Sequence, residues 1–463
     1  MIRLLFLLLF LPLAAQAQMM EPKPFDGTAP TGTMLIRGGT VLTVTNGTME
    51  NTDVLIENGK ITRIGSGLSA PRGARTIDAT GHYVMPGIID AHSHAGTSSV
   101  NEATVPIAAE VSIEDVIDPF DVTLYRALAG GVTATHVMHG SANPIGGQNE
   151  TIKLRWGFAD PDAMRLEGAP RTIKFALGEN PTRVHGEGND IHPSTRMGVE
   201  MVIREGFTRA QRYAEDKAAA ARGDRPHPPA YDLRLETLAD ILAGDVLVHC
   251  HSYRADEILM LMRVFSDFGI EKLTFQHANE AFKVAPELAA WGAGASIFSD
   301  WWAYKFEVYY STAYNAAILA RNGVMTSINS DSGELIRHLY HEAAKTQKYG
   351  GLTDDEALAM ITINPAKQLG IDGMVGSLEV GKDGDVAIFE GHPLSVYARP
   401  RYTIVDGLVY FDDTADPDDI RFYVDPETNV DDATISGHEH DEACMTGVHE
   451  LEAFAREAVA ARR

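Results

Sequence analysis

Two histidines stand one residue apart in the stretch MPGIIDAHSHAG, residues 85–96, directly after an apolar run entered through a proline and a glycine. On an extended strand alternate side chains share a face, and residues two apart lie about 6.6 Å apart along the chain. His92 and His94 can therefore converge on one cation. Taken alone, such a pair reads as hydrogen-bonded histidines at a strand end. Later apolar runs change that balance, because they too end in residues able to bind a metal: Lys174 in RTIKFALGENP, His249 and His251 in DVLVHCHSYRADE, His277 in LTFQHANEA and Asp331 in TSINSDSGE. Imidazole and carboxylate donors suit zinc, and they also accept iron, manganese or cobalt.

Residues so far apart in the chain meet only if the fold gathers strand ends at one mouth. Eight strand-like runs are read at 83–89, 133–138, 151–154, 172–176, 245–249, 273–276, 295–298 and 324–328, the third being the faintest, and helical patterns alternate with them. That alternation predicts βαβ units and an α/β (β/α)8 TIM barrel over 83–371, whose chemistry sits at the C-terminal strand ends. Outside it the texture is different. Asn-Gly pairs at 46/47 and 58/59 and Asp-Gly pairs at 383/384 and 406/407 punctuate short β-branched runs, a hairpin signature. The reading is a small β-sandwich domain built from N- and C-terminal segments, 31–82 and 372–425. Within the barrel, residues 177–245 form a long excursion whose helix is capped by Ser194 or Thr195. An acidic, then helical, tail is expected over 426–463.

These motifs together resemble the amidohydrolase superfamily, in its branch of imidazolonepropionase and secreted prolidase-like dipeptidases. The resemblance runs from about residue 34 to 411 and is carried by MPGIIDAHSHAG, IKFALGENP, LVHCHSYRADEI, TFQHANE, NSDSG and NPAKQLGIDGMVGSLEVGKDGDVAIF. It implies that His92 and His94 hold the more buried of two divalent ions, that His249 and His277 hold the second, and that Asp331 binds metal and shuttles the proton. Lys174 matches the lysine that carries a bridging carbamate in binuclear members. The bland alternative is a packed lysine whose amine pairs with Glu179. His251 shares the parity of His249, so spacing leaves the two open. The family pattern selects His249 and leaves His251 for substrate. A water shared by two Zn2+ ions about 3.5 to 4 Å apart is acidified to near pKa ~7, which supplies hydroxide for attack on an amide carbonyl.

For substrate contacts the candidates are His251, Tyr253, Arg254, Arg183 and His139. A guanidinium fork at a barrel mouth suits a carboxylate, which points to dipeptides or N-acyl amino acids; a surface salt bridge is the competing reading for each arginine. His136 and His139 read more readily as core or capping histidines, and His338 and His341 as surface residues. Trp301, Trp302, Tyr304, Tyr309 and Tyr310 form an aromatic run able to wall a pocket or to pack a helix. The GHEHDE stretch of the tail reads as a solvated turn.

Composition bounds the rest. A net charge of −25 over 463 residues argues against nucleic acid or anionic lipid as partner. Two cysteines make no disulfide framework. Residues 1–17 have the layout of a signal peptide cleaved after Ala17, and no cysteine follows to take a lipid, so a secreted or periplasmic protein with no membrane attachment after cleavage is expected. The oligomeric state is left open, with a homo-oligomer among the options. Two other functions stay in view: a mononuclear imidazolonepropionase-like or deaminase-like hydrolase of a cyclic amide, and a non-catalytic binding protein on the same fold.

Overall fold

The computed structural model describes residues 22–187, 191–302 and 304–415. The leader, the tail over 426–463 and its GHEHDE stretch lie outside them. Among the described residues no helix is long and apolar enough to cross a membrane.

The chain opens with β1 (Met34–Leu42), β2 (Thr48–Glu57), β3 (Lys60–Gly65), β4 (Arg75–Asp78) and β5 (Tyr83–Pro86). It then enters a second sheet made of β6 (Ile88–Ser93), β7 (Val132–Val137), β8 (Ile145–Lys153), β9 (Arg171–Ala176), β10 (Val246–Ser252), β11 (Leu273–His277), β12 (Gly294–Ile297) and β13 (Thr326–Ile328). The last described elements are β14 (Val386–Glu390), β15 (Arg399–Val405) and β16 (Leu408–Asp412). The first five and last three described strands share one sheet, ordered β16-β15-β14-β5-β1-β2-β3 with β4 on β1. Alternating apolar residues such as Ile36, Val54, Ile56, Ile77, Val84, Ile388 and Ile404 form its own buried core.

The run at 83–89 thus serves two sheets, Tyr83–Pro86 in the first and Ile88 onward in the second. Gly87 makes the passage: a Cβ there would lie 2.0 Å from Thr133 Oγ1, so no larger residue fits without displacing β7.

The second sheet is nearly closed. Its strands follow chain order from β6 to β13, and neighbours are parallel except at β8, which runs antiparallel to both β7 and β9. This corrects the expected third βαβ unit at 151–154. Only residues 138–144 join β7 to β8, and a parallel return needs a crossover of a dozen residues or more. The seam between β13 and β6 is bridged by the segment after the helix Asp354–Ala359: Ile89 N donates to Ile361 O and Ile328 N to Met360 O, each at 2.9 Å. Asp331 N donates to His92 O across the same seam at 2.9 Å.

Around this sheet the long excursion supplies the helix Arg196–Arg222, capped by Thr195 Oγ1 accepting from Gly198 N at 3.1 Å and closed by Gly223 in the left-handed region. Its Phe207 stacks on Phe175 of β9 and meets Phe265 edge-on, with centroids 5.9 and 5.8 Å apart.

On β8, burial pushes the Glu150 carboxyl up to about 7, with Arg165 opposing the shift. An unfolded glutamate titrates near 4.3, so the folded chain holds this proton through a window where the unfolded chain has lost it. Stability from this group is full below pH ~4.3 and falls as pH rises towards 7. Glu150→Gln should remove that decline, gaining on the order of 1 kcal/mol over wild type at pH 8 and little at pH 4.5. Urea unfolding at the two pH values checks it; an equal difference at both would refute the assignment.

Candidate functional site

β6 and the residue that follows it deliver His92 and His94, both buried, with Ser93 between them. The Nε2 atoms of the two rings lie 3.2 Å apart. Asp331, three residues beyond β13, places Oδ1 at 3.2 Å from His92 Nε2 and 3.1 Å from His94 Nε2. Lys174 Nζ of β9 sits 2.8 Å from His92 Nε2 and 3.7 Å from Met138 Sδ. His277, at the end of β11, has Nε2 3.6 Å from Asp331 Oδ2 and its ring centroid 4.9 Å from that of His92.

Backbone strain accompanies this convergence. His277 and Asp331 adopt φ of +65° and +49°, in the left-handed region that non-glycine residues avoid. Such conformations cost roughly 1–3 kcal/mol and persist where the surroundings over-determine them. At Asp331 the surroundings include Asp90, buried on β6. Its Oδ1 accepts from His92 N and Ser330 N, both at 3.1 Å, and its Oδ2 from Ser330 Oγ. Burial pushes the Asp90 carboxyl up to about 7 despite these hydrogen bonds. Asp90 was not among the sequence candidates, although the parity that pairs His92 with His94 also places Asp90 on their face.

His249 and His251 both face inward on β10, at successive register levels: His249 opposite Lys174, His251 opposite Ala176. His249 Nδ1 is 3.0 Å from Gln276 Nε2, its ring lies 4.7 Å from that of His136, and its Nε2 is buried with no hydrogen-bond partner among the described residues. His251 Nδ1 is 2.9 Å from Ser141 Oγ, and its ring lies 4.7 Å from His277. Beneath them His136 Nδ1–H donates to Ala91 O at 3.2 Å while Nε2 accepts from Thr172 Oγ1 at 2.7 Å. Burial lowers its pKa to about 3, so it is a neutral core histidine.

The remaining candidates are distributed differently. His139 uses both nitrogens on backbone, Nδ1–H to Gly140 O and Nε2 from Glu102 N, each at 2.9 Å, which staples two loops. Arg254 forks Asp256 at 2.9 Å with its side chain half-exposed, the salt-bridge alternative. Arg183 begins the short helix Arg183–Glu187 and favours the charged form of Glu179. Tyr253 is buried and stacks on His277 with centroids 5.5 Å apart. Phe298 also stacks on His277, at 4.6 Å, and Trp301 on Phe298 at 4.4 Å. Trp302, Tyr309 and Tyr310 are exposed. His338 and His341, expected at the surface, are half-buried and stacked with centroids 5.7 Å apart, because the Leu335–His338 turn tucks against the start of the helix Leu339–Gly350.

The donor set fits a cation. One imidazole Nε2 offers either one lone pair or one proton, yet His92 Nε2 faces Lys174, His94 and Asp331 at once. The ligand atoms of His92, His94 and Asp331 all lie within 4.8 Å of one another. A metal ion at their common point would satisfy all three, and the orphaned Nε2 of His249 is a further donor of the same kind.

Comparison with known proteins bears on this geometry. An amidohydrolase of known structure from Thermotoga maritima MSB8 is 33% identical, with 82% of this chain and 100% of that chain covered at a TM-score of 0.76. The chain belongs to the amidohydrolase family. Residues 307–439 match the description of the Amidohydrolase family itself. The amidohydrolase tasK of Hapsidospora irregularis is 34% identical over 394 residues, 78% of this chain, which spans 40% of the length of that relative. A prolidase structure complexed with N-methylphosphonate-L-proline shares the fold at 18% identity, with 81% of this chain and 99% of that chain covered at a TM-score of 0.51. Family membership places the protein among hydrolases that act on carbon–nitrogen bonds.

Proposed function

We propose that this amidohydrolase is an exported, metal-dependent enzyme that hydrolyses the amide bond of a dipeptide or N-acyl amino acid. The observation that carries the reading is the meeting of His92, His94 and Asp331, from the two ends of a nearly closed sheet, with Lys174 and His277 beside them. We read that sheet as a (β/α)8 barrel in which β8 departs from the repeat.

His92, His94, Lys174, His249, His277 and Asp331 would hold two divalent ions, preferably zinc. Lys174 would serve as a carbamate, formed when its neutral amine adds to CO2 and loses a proton, which turns a repelling ammonium into an anion with two oxygens. The ions, when bound, supply Lewis acidity towards the carbonyl and lower the pKa of water. Asp331 accepts the proton of the attacking water and hands it to the departing nitrogen, a general acid/base role. Tyr253, Phe298 and Trp301 wall one side and exclude solvent, and His251 faces the substrate.

A second reading rests on the compactness of the three-residue set. His92, His94 and Asp331 suffice for one ion, and a 5-methylthioadenosine/S-adenosylhomocysteine deaminase of Symbiobacterium thermophilum is 25% identical over 447 residues. That reading makes the protein a mononuclear hydrolase of a cyclic amide with an unmodified Lys174.

Metal analysis of zinc-supplemented protein, with and without bicarbonate, separates the two. Two ions per chain, falling to one or none in Lys174→Ala, fits the first reading; one ion retained in that variant fits the second. Hydrolysis of a dipeptide and N-acyl amino acid panel then tests the substrate class, and zinc-loaded protein inert on every member would remove the first reading's substrate. The same analysis resolves the β10 histidines. Removing a direct ligand, His249→Ala, should weaken zinc binding on the order of 100-fold, whereas His251→Ala should keep its zinc and lose mainly turnover. The reverse pattern would exchange their roles.

A further inference from the structure

We infer that Lys305 is a positioning residue that acts on His277 through the ring of Tyr253. The inference rests on the proposed role of His277 as a metal ligand. Lys305 follows β12 and is buried; its Nζ lies 4.1 Å from the centroid of the Tyr253 ring, and that ring stacks on His277 at an interplanar angle of 18°. Phe298 stacks on His277 at 20° and Trp301 on Phe298 at 16°. Ammonium, phenol, imidazole, phenyl and indole are thus linked by successive pairwise contacts.

A lysine placed for charge pairing settles on carboxylate oxygens, as Lys217 does on Glu236 at 2.6 and 2.7 Å. Lys305 pairs more loosely. Among the described residues its Nζ donates to Asn180 Oδ1 at 3.0 Å, and its ion pairs with Glu307 and Glu179 are longer, at 3.6 and 3.7 Å. Glu307 is held in turn by Arg196 at 2.6 Å, at the start of the long excursion helix. The ammonium is thereby kept over the ring face, where attraction to the π-system fixes the plane of Tyr253. Tyr304 donates to the Tyr253 hydroxyl at 2.8 Å and blocks rotation of the phenol out of the stack. The plane of Tyr253 sets the plane of His277 and so the direction of its Nε2. Sequence alone offers no signal for this, since Lys305 lies in a loop far from every ligand motif.

The test compares full-length Lys305→Met, Lys305→Arg and a control, Lys283→Met, which removes an ammonium 3.9 Å over the ring of exposed Tyr310. Zinc affinity is measured by competition with a chromophoric chelator, and the visible spectrum is recorded after cobalt substitution. Lys305→Met should weaken zinc binding on the order of tenfold and shift the cobalt bands, since groups that orient a ligand contribute on that scale. Lys305→Arg, which keeps a cation able to stack on an aromatic face, should restore both to within about threefold. The control should match wild type. If Lys305→Met binds zinc and cobalt as wild type does, including the case where only KM rises, the inference is overturned while the metal reading stands. If wild type itself binds no stoichiometric metal, both fall together. Should Lys305→Met fail to fold, the charge-retaining Arg variant decides: wild-type affinity and bands support the inference, and altered ones with a native melting curve overturn it.

Discussion

Asp331→Asn is expected to lower kcat/KM on the order of 10⁴-fold with the protein still folded. The side chain keeps its shape, but an amide cannot take up and return a proton, and loss of a general acid/base accounts for roughly 10² to 10⁴ by itself. It also withdraws the anionic oxygen that lies 3.2 and 3.1 Å from His92 and His94. Two measurements separate these contributions. Zinc content reports the loss of a ligand, and activity per bound ion reports the loss of the proton carrier. The left-handed backbone at residue 331 favours asparagine about as well as aspartate, so melting should change little. Retention of more than a tenth of wild-type activity per ion would remove Asp331 from the proton path.

Lys153→Met should cost about 3–5 kcal/mol at neutral pH, the usual result of leaving buried charges without their partner. The Lys153 ammonium, on β8, contacts Asp383 at 2.7 Å, Asp385 at 3.0 Å and Asp406 at 2.6 Å, all buried. Burial disfavours its charge, but the three carboxylates outweigh burial and hold its pKa above the ordinary value. Arg155 adds a contact to Asp406 at 2.7 Å, and Lys60 pairs with Asp383 at the rim. These aspartates flank β14 and the β15–β16 turn, so the cation clamps the terminal sheet to the nearly closed one. Removing it leaves like charges facing one another. Their protonation relieves the repulsion, so the deficit should shrink as pH falls from 7.5 to 5.5: burial holds the Asp385 carboxyl at about 6 even with Lys153 opposing the shift, and removing Lys153 raises it further. Urea unfolding at both pH values tests this. A pH-independent deficit under 1 kcal/mol would show that the cluster is not a clamp.

Much of the site was legible because β parity and ligand chemistry are local properties. His92 and His94 follow from the two-residue repeat of a strand, Lys174 and His249 lie within apolar runs that became β9 and β10, His277 ends β11, and Asp331 follows β13. The eight runs were likewise found in order. The direction of β8 was not, because direction depends on whether the preceding connection can carry a crossover, and pattern within 151–154 is the same for either sense. Local pairing is another limit: Arg254 forks Asp256 two residues away, a contact that a residue's type does not reveal.

What the amino-acid order determined alone is the alternation that makes strands and the identity of the donors at their ends. The tertiary structure decided which donors meet. Asp90, Gln276, Lys305 and the Lys153 cluster act through partners tens to hundreds of residues away, across seams between strands. Their effect arises from distance and burial, which exist only once both segments are folded against each other.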